Sequence, residues 1–484
     1  MALGRRRPTE QSFWVTTATL PRSPGHPFYE RLNRLLSDMD FDRRVEALWE
    51  PYYAENGRDS IPPGVVYRML FVGYFEGITS QRGIAWRCSD SLSLREFLGL
   101  GVEGKVPDHS SLTKIRQRIP TEVDLQVFQL ALGEAEKRGL LKGKTVAVDA
   151  TMLEANAAMK AIVLRETGED WKEFLTRLYR EEHGEDEDDD PPSDNELRRF
   201  DKQRRKKGKK KVANDTWKSP TDPDSRIAKL KDGRTHLAYK AEHVLDLDTE
   251  LILAARVVHA TEADSATLLP SVQLAQENLD AAGCDVVIEE TVADKGYHKA
   301  ATLAEAGEAG LRTYIPEPRV QGGKRRWKKK PPEWKDAVYA NRRRVRGERS
   351  KKLQRQRSER VERSFAHTCE TGGGRRAWLR GLTNVDRRHL VQALARNLSL
   401  IVRHLFGVGT PRGLQGAGGL GLASAAAALL AVLAIKCRRV GEAVVELAMA
   451  IEAGVIGTRY QAAWAATQGA ETKVVIPAGF STGC

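Results

Sequence analysis

Three acidic residues stand at places in the sequence from which folding could bring them together: Asp149, Asp294 and Glu362. Asp149 ends an apolar run typical of a buried strand, Asp294 follows a second short apolar stretch, and Glu362 lies in a segment with helical character. Carboxylates that are brought together repel one another strongly unless cations lie between them. Hard divalent metals such as Mg2+ and Mn2+ prefer carboxylate oxygens, and pairs of them promote phosphodiester chemistry. The three acids therefore predict a site for two divalent metal ions.

Each carboxylate would have its own part in such a site. Two ions about 3.5–4 Å apart activate the attacking oxygen and stabilise the leaving oxygen. Asp149 is placed to bridge both ions, while Asp294 and Glu362 each hold one. The structural alternative stays open at every position, because an Asp after a strand commonly caps a turn and a Glu among arginines commonly forms a surface ion pair. Glu359, one helical turn before Glu362, is the alternative third acid.

The net charge of the chain indicates the kind of partner. Among 484 residues, 78 are Lys or Arg and 65 are Asp or Glu, which gives a net charge of +13. An excess of positive charge favours a polyanionic partner, of which nucleic acid is the commonest. The length predicts several domains and enough apolar material for a substantial core.

The cysteines favour a reducing compartment. The five are far apart and form no Cys-x-x-Cys pair, so they predict neither a zinc knuckle nor a disulfide framework. We expect a cytoplasmic, nucleoid-associated protein without a membrane segment. The uncharged stretch at residues 413–435 is long enough to cross a bilayer, but it consists mostly of Gly and Ala, which favours a soluble helix. It belongs to an Ala/Gly-rich C-terminal tail at residues 406–484.

Residues 1–140 predict an all-α N-terminal domain. One of its helices is introduced by Pro107-Asp108-His109-Ser110, where Asp108 or Ser110 can accept hydrogen bonds from the first backbone N–H groups. The polar side of this helix carries three basic residues, Lys114, Arg116 and Arg118. They could contact DNA or form the solvated face of an ordinary helical bundle, and the sequence leaves both open.

Residues 141–405 predict an α/β domain. Strand-like and helix-like segments follow one another at 144–150, 236–247, 251–259, 263–282, 291–294, 299–308 and 312–315. Asp248-Thr249-Glu250 separates the second and third segments and predicts a hairpin. The succession of strand, hairpin, helix, strand, helix, strand and helix predicts a mixed sheet flanked by helices.

Two charged segments interrupt this domain. The first, at about 158–232, holds eight acidic residues within 181–190 and then a basic block at 198–211, and such charge runs predict a flexible insertion. The second is a basic segment at about 319–360. Counted through Arg363, it has 19 Lys or Arg against five Asp or Glu, so its net charge of +14 exceeds that of the whole chain. The positive charge is therefore concentrated beside Glu362.

The ordered set of motifs resembles the bacterial insertion-sequence transposases of the DDE class. The matching segments are Val-Asp-Ala-Thr (148–151), Tyr-Lys-Ala-Glu-His (239–243), Ala-Asp-Lys-Gly-Tyr-His (293–298) and Arg-Val-Glu-Arg-Ser-Phe-Ala-His (360–367). Each segment alone is weakly specific, whereas their order along residues 30–405 is specific. The resemblance implies an RNase H-like core, with one acid on the first strand, one after the fourth strand and one on a late helix.

The resemblance also implies an activity. Enzymes of this class are metal-dependent recombinases that nick DNA at the inverted repeats of an element, after which the freed 3′-hydroxyl attacks target DNA. Carried over by motif, the catalytic and metal-binding residues are Asp149, Asp294 and Glu362, and the cofactor is Mg2+ or Mn2+, as two ions. The implied partners are the terminal inverted repeats, the target DNA and further copies of the chain in a homo-oligomer on the DNA. The helical domain at 1–140 would bind the DNA ends.

The basic residues of the implied DNA-binding surface are less well defined. Some relatives carry an Arg four residues before the Glu and a Lys seven residues after it, positions that are Ser358 and Cys369 here. The candidates in their place are Arg357, Arg363, Arg375 and Arg376. Lys240 is a further candidate for a phosphate contact, with an ordinary surface lysine as the alternative.

Two other functions stay open at this point. One is a catalytically silent, transposase-derived DNA-binding protein, and the other is an RNase H-like nuclease without strand transfer. Positive charge would serve either, because phosphate neutralisation needs only Lys and Arg. The three acids favour an enzyme, since a protein that only binds DNA gains nothing from negative charge beside it.

Overall fold

Seven helices precede a mixed sheet in the computed structural model of the protein. The structure describes residues 26–57, 59–101, 103–184, 191–206, 213–230, 232–319, 327 and 329–412. The helices of the first part are α1 (Pro27–Asp38), α2 (Phe41–Trp49), α3 (Pro63–Glu76), α4 (Gln81–Asp90), α5 (Leu92–Phe97), α6 (His109–Arg118) and α7 (Thr121–Lys137). Asp108 caps α6, because its carboxylate accepts hydrogen bonds from the N–H groups of Ser110 and Ser111 at 2.7 and 3.0 Å. The predicted all-α N-terminal part is confirmed.

Eight strands follow. They are β1 (Thr145–Glu154), β2 (Val163–Leu164), β3 (Trp217–Lys218), β4 (Arg226–Lys229), β5 (Thr235–Asp246), β6 (Ile252–His259), β7 (Glu290–Val292) and β8 (Arg312–Tyr314). The long β5 pairs antiparallel with β1 on one side, and with β4 and then β6 on the other. Strand β7 lies parallel to β1, and β8 lies parallel to β7. The six strands of this sheet therefore run β5, β1, β7, β8 from one edge, with β4 and β6 both paired to the outer side of β5, which confirms the predicted mixed sheet and its hairpin.

Helices cover both faces of this sheet. The later helices are α8 (Trp171–His183), α9 (Asp194–Lys206), α10 (Asp264–Ala281), α11 (Ala300–Glu308), α12 (Pro332–Arg346), α13 (Glu348–Ala366) and α14 (Leu382–Phe406). Successive residues of a strand point to opposite faces. On β5, Glu242 accepts a hydrogen bond from Ser271 of α10, whereas His243 bonds Ser364 of α13 and stacks on His389 of α14. Thus α10 lies on one face, and α13 and α14 lie on the other.

The helical part and the sheet share one hydrophobic core. Buried side chains of α1 to α7, of the central strands and of α14 belong to the same cluster. Helix α14 has a buried face along most of its 25 residues and packs against α3, α7 and β6. Because one helix contacts both parts, the all-α part and the sheet are held together by apolar burial rather than by a linker.

The segment at 158–232 differs from the flexible insertion expected there. Helices α8 and α9 pack against each other through Leu175, Leu197 and Phe200. The apolar residues of α8 recur at helical spacing among charged ones, so the helix has one apolar face despite its high charge. The most charged parts, 185–190 and 207–212, lie outside the described residues, as do residues 413–435. No helix in the described ranges combines the length and the apolar character needed to cross a membrane.

A β-bulge in the hairpin is held from both faces by asparagine side chains. Pairing shifts between Val244 and Leu245 of β5, which leaves an extra residue in β6. Asn397 of α14 accepts a hydrogen bond from the N–H of Ile252 at 2.9 Å and donates one to its carbonyl at 2.8 Å. Asn278 of α10 donates to the carbonyl of Leu253 at 2.9 Å. The backbone groups exposed by the bulge are therefore satisfied by the covering helices.

We predict that Asn397→Ala destabilises the protein by about 3 kcal/mol, because two buried backbone groups of Ile252 lose their partners at about 1–3 kcal/mol each. The measurement is the free energy of unfolding in denaturant. Asn384→Ala is the matched control on α14, since its amide only bonds the carbonyl of Arg380 at the exposed start of the helix. An equal loss in both variants would contradict the importance of the bulge contacts.

Candidate metal and nucleic-acid site

The strand register brings Asp149 and Asp294 together. Ala147 of β1 lies beside Val292 of the parallel strand β7. Asp149 and Asp294 each come two residues later, so they lie at the same level on neighbouring chains. Adjacent strands are about 4.8 Å apart. The two carboxylates interact electrostatically, and both lie just past the last paired residues of β1 and β7. The sequence predicted Asp149 at the tip of a strand, but β1 continues to Glu154, so Asp149 lies inside β1 while Asp294 lies two residues beyond β7.

Asp149 is partly buried and carries an ion pair. Its Oδ2 lies 2.7 Å from Nη1 of Arg357 on α13, and its Oδ1 accepts a hydrogen bond from the N–H of Ala150 at 2.8 Å. Gln354, one turn earlier on α13, accepts a hydrogen bond from Nε of the same guanidinium at 3.2 Å. Burial raises the pKa of Asp149, Arg357 counteracts that rise, and the charge of Asp294 adds to it. Burial therefore makes the ionised form of Asp149 less stable, and a nearby cation such as Arg357 reduces this loss of stability.

Asp294 lies at the start of a short 3-10 turn, Lys295–Tyr297, and accepts a hydrogen bond from the N–H of Gly296 at 2.7 Å. The glycine leaves room for a second carboxylate. A Cβ on Gly296 would lie 2.7 Å from Oδ2 of Asp264 and 3.0 Å from Oδ1 of Asp294. Asp264 is the first residue of α10. It therefore joins Asp149 and Asp294 as a third acid at this end of the sheet.

Lys240 is buried beside these acids instead of lying on the surface. Its ammonium is 3.1 Å from Asp264 Oδ1, 3.3 Å from Glu242 Oε1 and 2.8 Å from the carbonyl oxygen of Glu262. The side chain of Lys240 is 2% exposed and that of Glu242 is fully buried. A phosphate cannot reach this ammonium in the observed arrangement, so the structure corrects the expectation that Lys240 contacts DNA. The lysine neutralises interior carboxylates.

Glu362 lies on the exposed side of α13, five residues after Arg357. With about 3.6 residues per turn, Glu362 points away from the sheet, on the flank that also bears Phe365. Phe365 stacks on His243 and contacts the apolar cluster at the carboxyl end of β1, toward which Asp149 and Asp294 also lie. Within the described ranges Glu362 forms no hydrogen bond or ion pair. The structure thus does not place it in contact with the two aspartates.

Glu359 has a different environment. It forms an ion pair with Arg363, and Arg363 also pairs with Glu250 in the turn between β5 and β6. That turn lies beside the first residue of β1, because Leu247 donates a backbone hydrogen bond to the carbonyl of Thr145. Glu359 is therefore held by Arg363 toward the turn that lies beside the first residue of β1. Of the two acids, Glu362 is the one whose carboxylate has no ion pair in the described part of the chain.

The other predicted basic residues are distributed over two surfaces. Lys114 and Arg118 are exposed on one face of α6, and the guanidinium of Arg118 lies over the ring of Tyr53. Arg116 points to the opposite side, where burial and the charge of Arg387 lower its pKa. The predicted polar side of α6 thus contains Lys114 and Arg118 and excludes Arg116.

Arg375 and Arg376 lie on the second surface, which borders the carboxyl end of β1. Both are exposed, and Arg376 forms an isolated bridge with Glu154, the last residue of β1. Arg375 pairs with Glu370 at 2.9 Å, and Arg376 lies over the ring of Trp378, which is 44% exposed. Both cations are therefore exposed near the carboxyl end of β1, five residues along the strand from Asp149.

The donor chemistry fits a hard divalent cation at Asp149 and Asp294. Among the described residues, no three His, Cys, Asp or Glu side chains surround one point as ligands of a metal ion. Two neighbouring carboxylates, one with a raised pKa, are nevertheless the oxygen donors that Mg2+ and Mn2+ prefer. A cation between them would reduce both the repulsion and the cost of burial.

Three residues near the two aspartates were not selected from the sequence as site residues. Asp264, Glu242 and Tyr297 all lie near the two aspartates. Glu242 and Tyr297 occur in the motifs at 239–243 and 293–298, so their place in these motifs could have indicated that they lie near the site. Asp264 had none, because only the approach of α10 to Gly296 brings it to the site.

Two family models match the chain. Residues 19–118 match a transposase domain (DUF772), which includes α1 to α6. Residues 319–402 match a transposase DDE domain, which includes Arg357 and Glu362. Asp149 and Asp294 lie outside both matches. No curated protein matches the chain.

We predict that Arg357→Gln lowers the free energy of unfolding by about 1–3 kcal/mol near neutral pH in the absence of divalent metal, as expected for a partly buried ion pair. Arg357 stabilises the ionised form of Asp149. Its contribution is therefore present above the pKa of Asp149 in the folded protein and is lost as the pH falls through that value. Denaturant titrations of both proteins from pH 8 to pH 4 measure the difference.

The matched control is Arg355→Gln on the same helix, since Arg355 is exposed and makes no ion pair within the described part of the chain. Its stability should follow that of the wild type at every pH. A loss in Arg357→Gln that stays constant from pH 8 to pH 4 would contradict the pairing with Asp149.

Proposed function

We propose that this chain, which belongs to the insertion-sequence transposases of the DDE class, cleaves DNA at the ends of its element and joins the freed 3′-ends to target DNA. The observation that carries the proposal is that Asp149 and Asp294 lie next to each other just past the parallel pairing of β1 with β7. Negative charge at this position would repel a DNA backbone unless metal ions were bound there. An acidic centre that pairs with Arg357 and has exposed arginines farther along β1 is therefore suited to phosphodiester chemistry.

Asp149, Asp294 and Glu362 would hold the metal. When bound, a pair of Mg2+ or Mn2+ ions lowers the pKa of the attacking hydroxyl or water and stabilises charge on the leaving oxygen. Glu362 is free of ion pairs among the described residues, whereas Glu359 is held by Arg363. Arg357 serves as the counter-charge of Asp149 until a divalent cation takes that part.

The DNA would lie along the surface that surrounds the acids. Arg375 and Arg376 border the carboxyl end of β1 and can neutralise phosphates. Lys114 and Arg118 form a separate exposed basic face on α6, which suits the helical part to a contact with the element ends. Cleavage at two ends and their joining to one target require more than one active site, so we expect a homo-oligomer on DNA.

We predict that Asp149→Asn, Asp294→Asn and Glu362→Gln each reduce strand cleavage by about 100-fold or more, because each removes a carboxylate ligand of the metal ions that stabilise charge in the transition state. The assay uses Mg2+ and DNA that carries the sequences flanking the reading frame, and it separates nicked from joined products. Glu359→Gln is the matched control on α13 and should retain cleavage within a few-fold. Binding to the same DNA should persist in all four variants.

Other outcomes of this assay would support the alternatives. If the wild type binds DNA but is as inert as Asp149→Asn, the protein is a DNA-binding protein without catalysis. Cleavage without joined products would indicate a nuclease. If Glu359→Gln is inactive and Glu362→Gln is active, the third acid is Glu359.

A further inference from the structure

Among the described residues, the hydroxyl of Tyr297 is a buried polar group without a hydrogen-bond partner. Tyr297 ends the 3-10 turn that begins after Asp294, and its backbone N–H donates to the carbonyl of Asp294 at 3.3 Å. The residue is 1% exposed. Its hydroxyl oxygen is inaccessible and makes no hydrogen bond with the described residues. The turn capped by one predicted metal ligand thus directs a phenol into the interior.

Four carboxylates lie near enough to Tyr297 to act on it electrostatically. Tyr297 interacts electrostatically with Glu242, Asp149, Asp264 and Asp294, and burial together with these charges raises its pKa well above the ordinary value. The phenol therefore stays protonated and can donate a hydrogen bond.

The four carboxylates differ in how their oxygens are used. Glu242 accepts hydrogen bonds from Thr267 and Ser271 on its two oxygens. Oδ1 of Asp264 is bound by Lys240, and Oδ1 of Asp294 accepts a backbone N–H. Oδ2 of Asp149 is held by Arg357 alone. Of these contacts, the one with Arg357 is the one that a bound metal ion would replace.

An apolar residue would fill the same space at lower cost. Burying a hydroxyl without a partner reduces stability, whereas a phenylalanine ring of the same shape has no such penalty. A tyrosine at this position is therefore unfavourable for folding alone. We expect the hydroxyl to gain a hydrogen-bond partner when a bound cation rearranges the nearby carboxylates.

We infer that Tyr297 is a positioning residue for the metal site, whose hydroxyl donates a hydrogen bond to Asp149 when that carboxylate exchanges Arg357 for a divalent cation. The inference rests on the proposed function, because it requires Asp149 to be a metal ligand. Partners that orient the ligands of a metal commonly change metal affinity by about 10–100-fold when they are removed.

The test is Tyr297→Phe in the full chain without DNA, with the affinity for Mn2+ measured by electron paramagnetic resonance of the free ion. We expect the affinity to fall by about 10-fold or more. The midpoint of unfolding in the absence of metal should stay the same or rise, because an unsatisfied buried hydroxyl has been removed. The combination of weaker metal binding and undiminished stability distinguishes positioning from packing.

Tyr314→Phe is the matched control. Tyr314 is also a buried tyrosine, on the neighbouring strand β8, and its hydroxyl donates to Glu290 at 3.1 Å. Its removal should lower stability and leave the Mn2+ affinity unchanged. The two variants should therefore have opposite effects on the two measurements.

Three results would overturn the inference. An unchanged Mn2+ affinity in Tyr297→Phe would overturn it while leaving the proposed function intact. A loss of affinity accompanied by an equal loss in Tyr314→Phe, or by a lower midpoint of unfolding, would show a structural effect. If the wild type itself does not bind Mn2+, the metal site of the proposed function fails, and the inference fails with it.

Discussion

The concentration of negative charge where β1 meets β7 is the constraint on which the surrounding structure depends. Asp149 and Asp294 are adjacent because the strands are parallel and in register, and Asp264 approaches them across Gly296. Carboxylates this close destabilise the fold unless cations compensate. Arg357 from one face of the sheet and Lys240 from the other supply that compensation. The acids are therefore neutralised by one cation from helix α13 and one from strand β5, and not by solvent.

The sequence predicted those parts of the site that local patterns determine. An acid that follows an apolar run is visible without a structure, and so are the hairpin and the order of strands and helices. The end of β1 was not predicted, since the strand continues past Asp149 to Glu154. The hidden parts depend on tertiary contact. Lys240 and Glu242 lie on the same face of β5 and neutralise each other in the interior, so a buried pair has the same sequence pattern as an exposed one. The position of Asp264 is set by how α10 packs, which no local pattern records.

Charged composition was similarly ambiguous in the segment at 158–232. High charge density predicted flexibility there, yet a few apolar residues at helical spacing are enough to pair α8 with α9. The fraction of charged residues in a segment does not determine how its apolar residues are spaced. The spacing of the apolar residues decides whether two helices can pack against each other. In the basic segment near Glu362 the same distinction applies, since α13 has one buried face, with Leu353, Val361 and Ser364, despite its many arginines.

Helix α13 carries both the cation that neutralises Asp149 and the acid proposed to join it in holding metal. Its position on the sheet is set by Gln354, which bonds the carbonyls of Ala293 and Tyr314, and by Ser364, which bonds His243 directly opposite Asp149 on β5. Burial lowers the pKa of His243 well below its usual value, so this contact stays uncharged. Because uncharged contacts of Gln354 and Ser364 hold the helix on both sides of Arg357, the proposed exchange of Arg357 for a metal ion would need side-chain movement and no shift of the backbone.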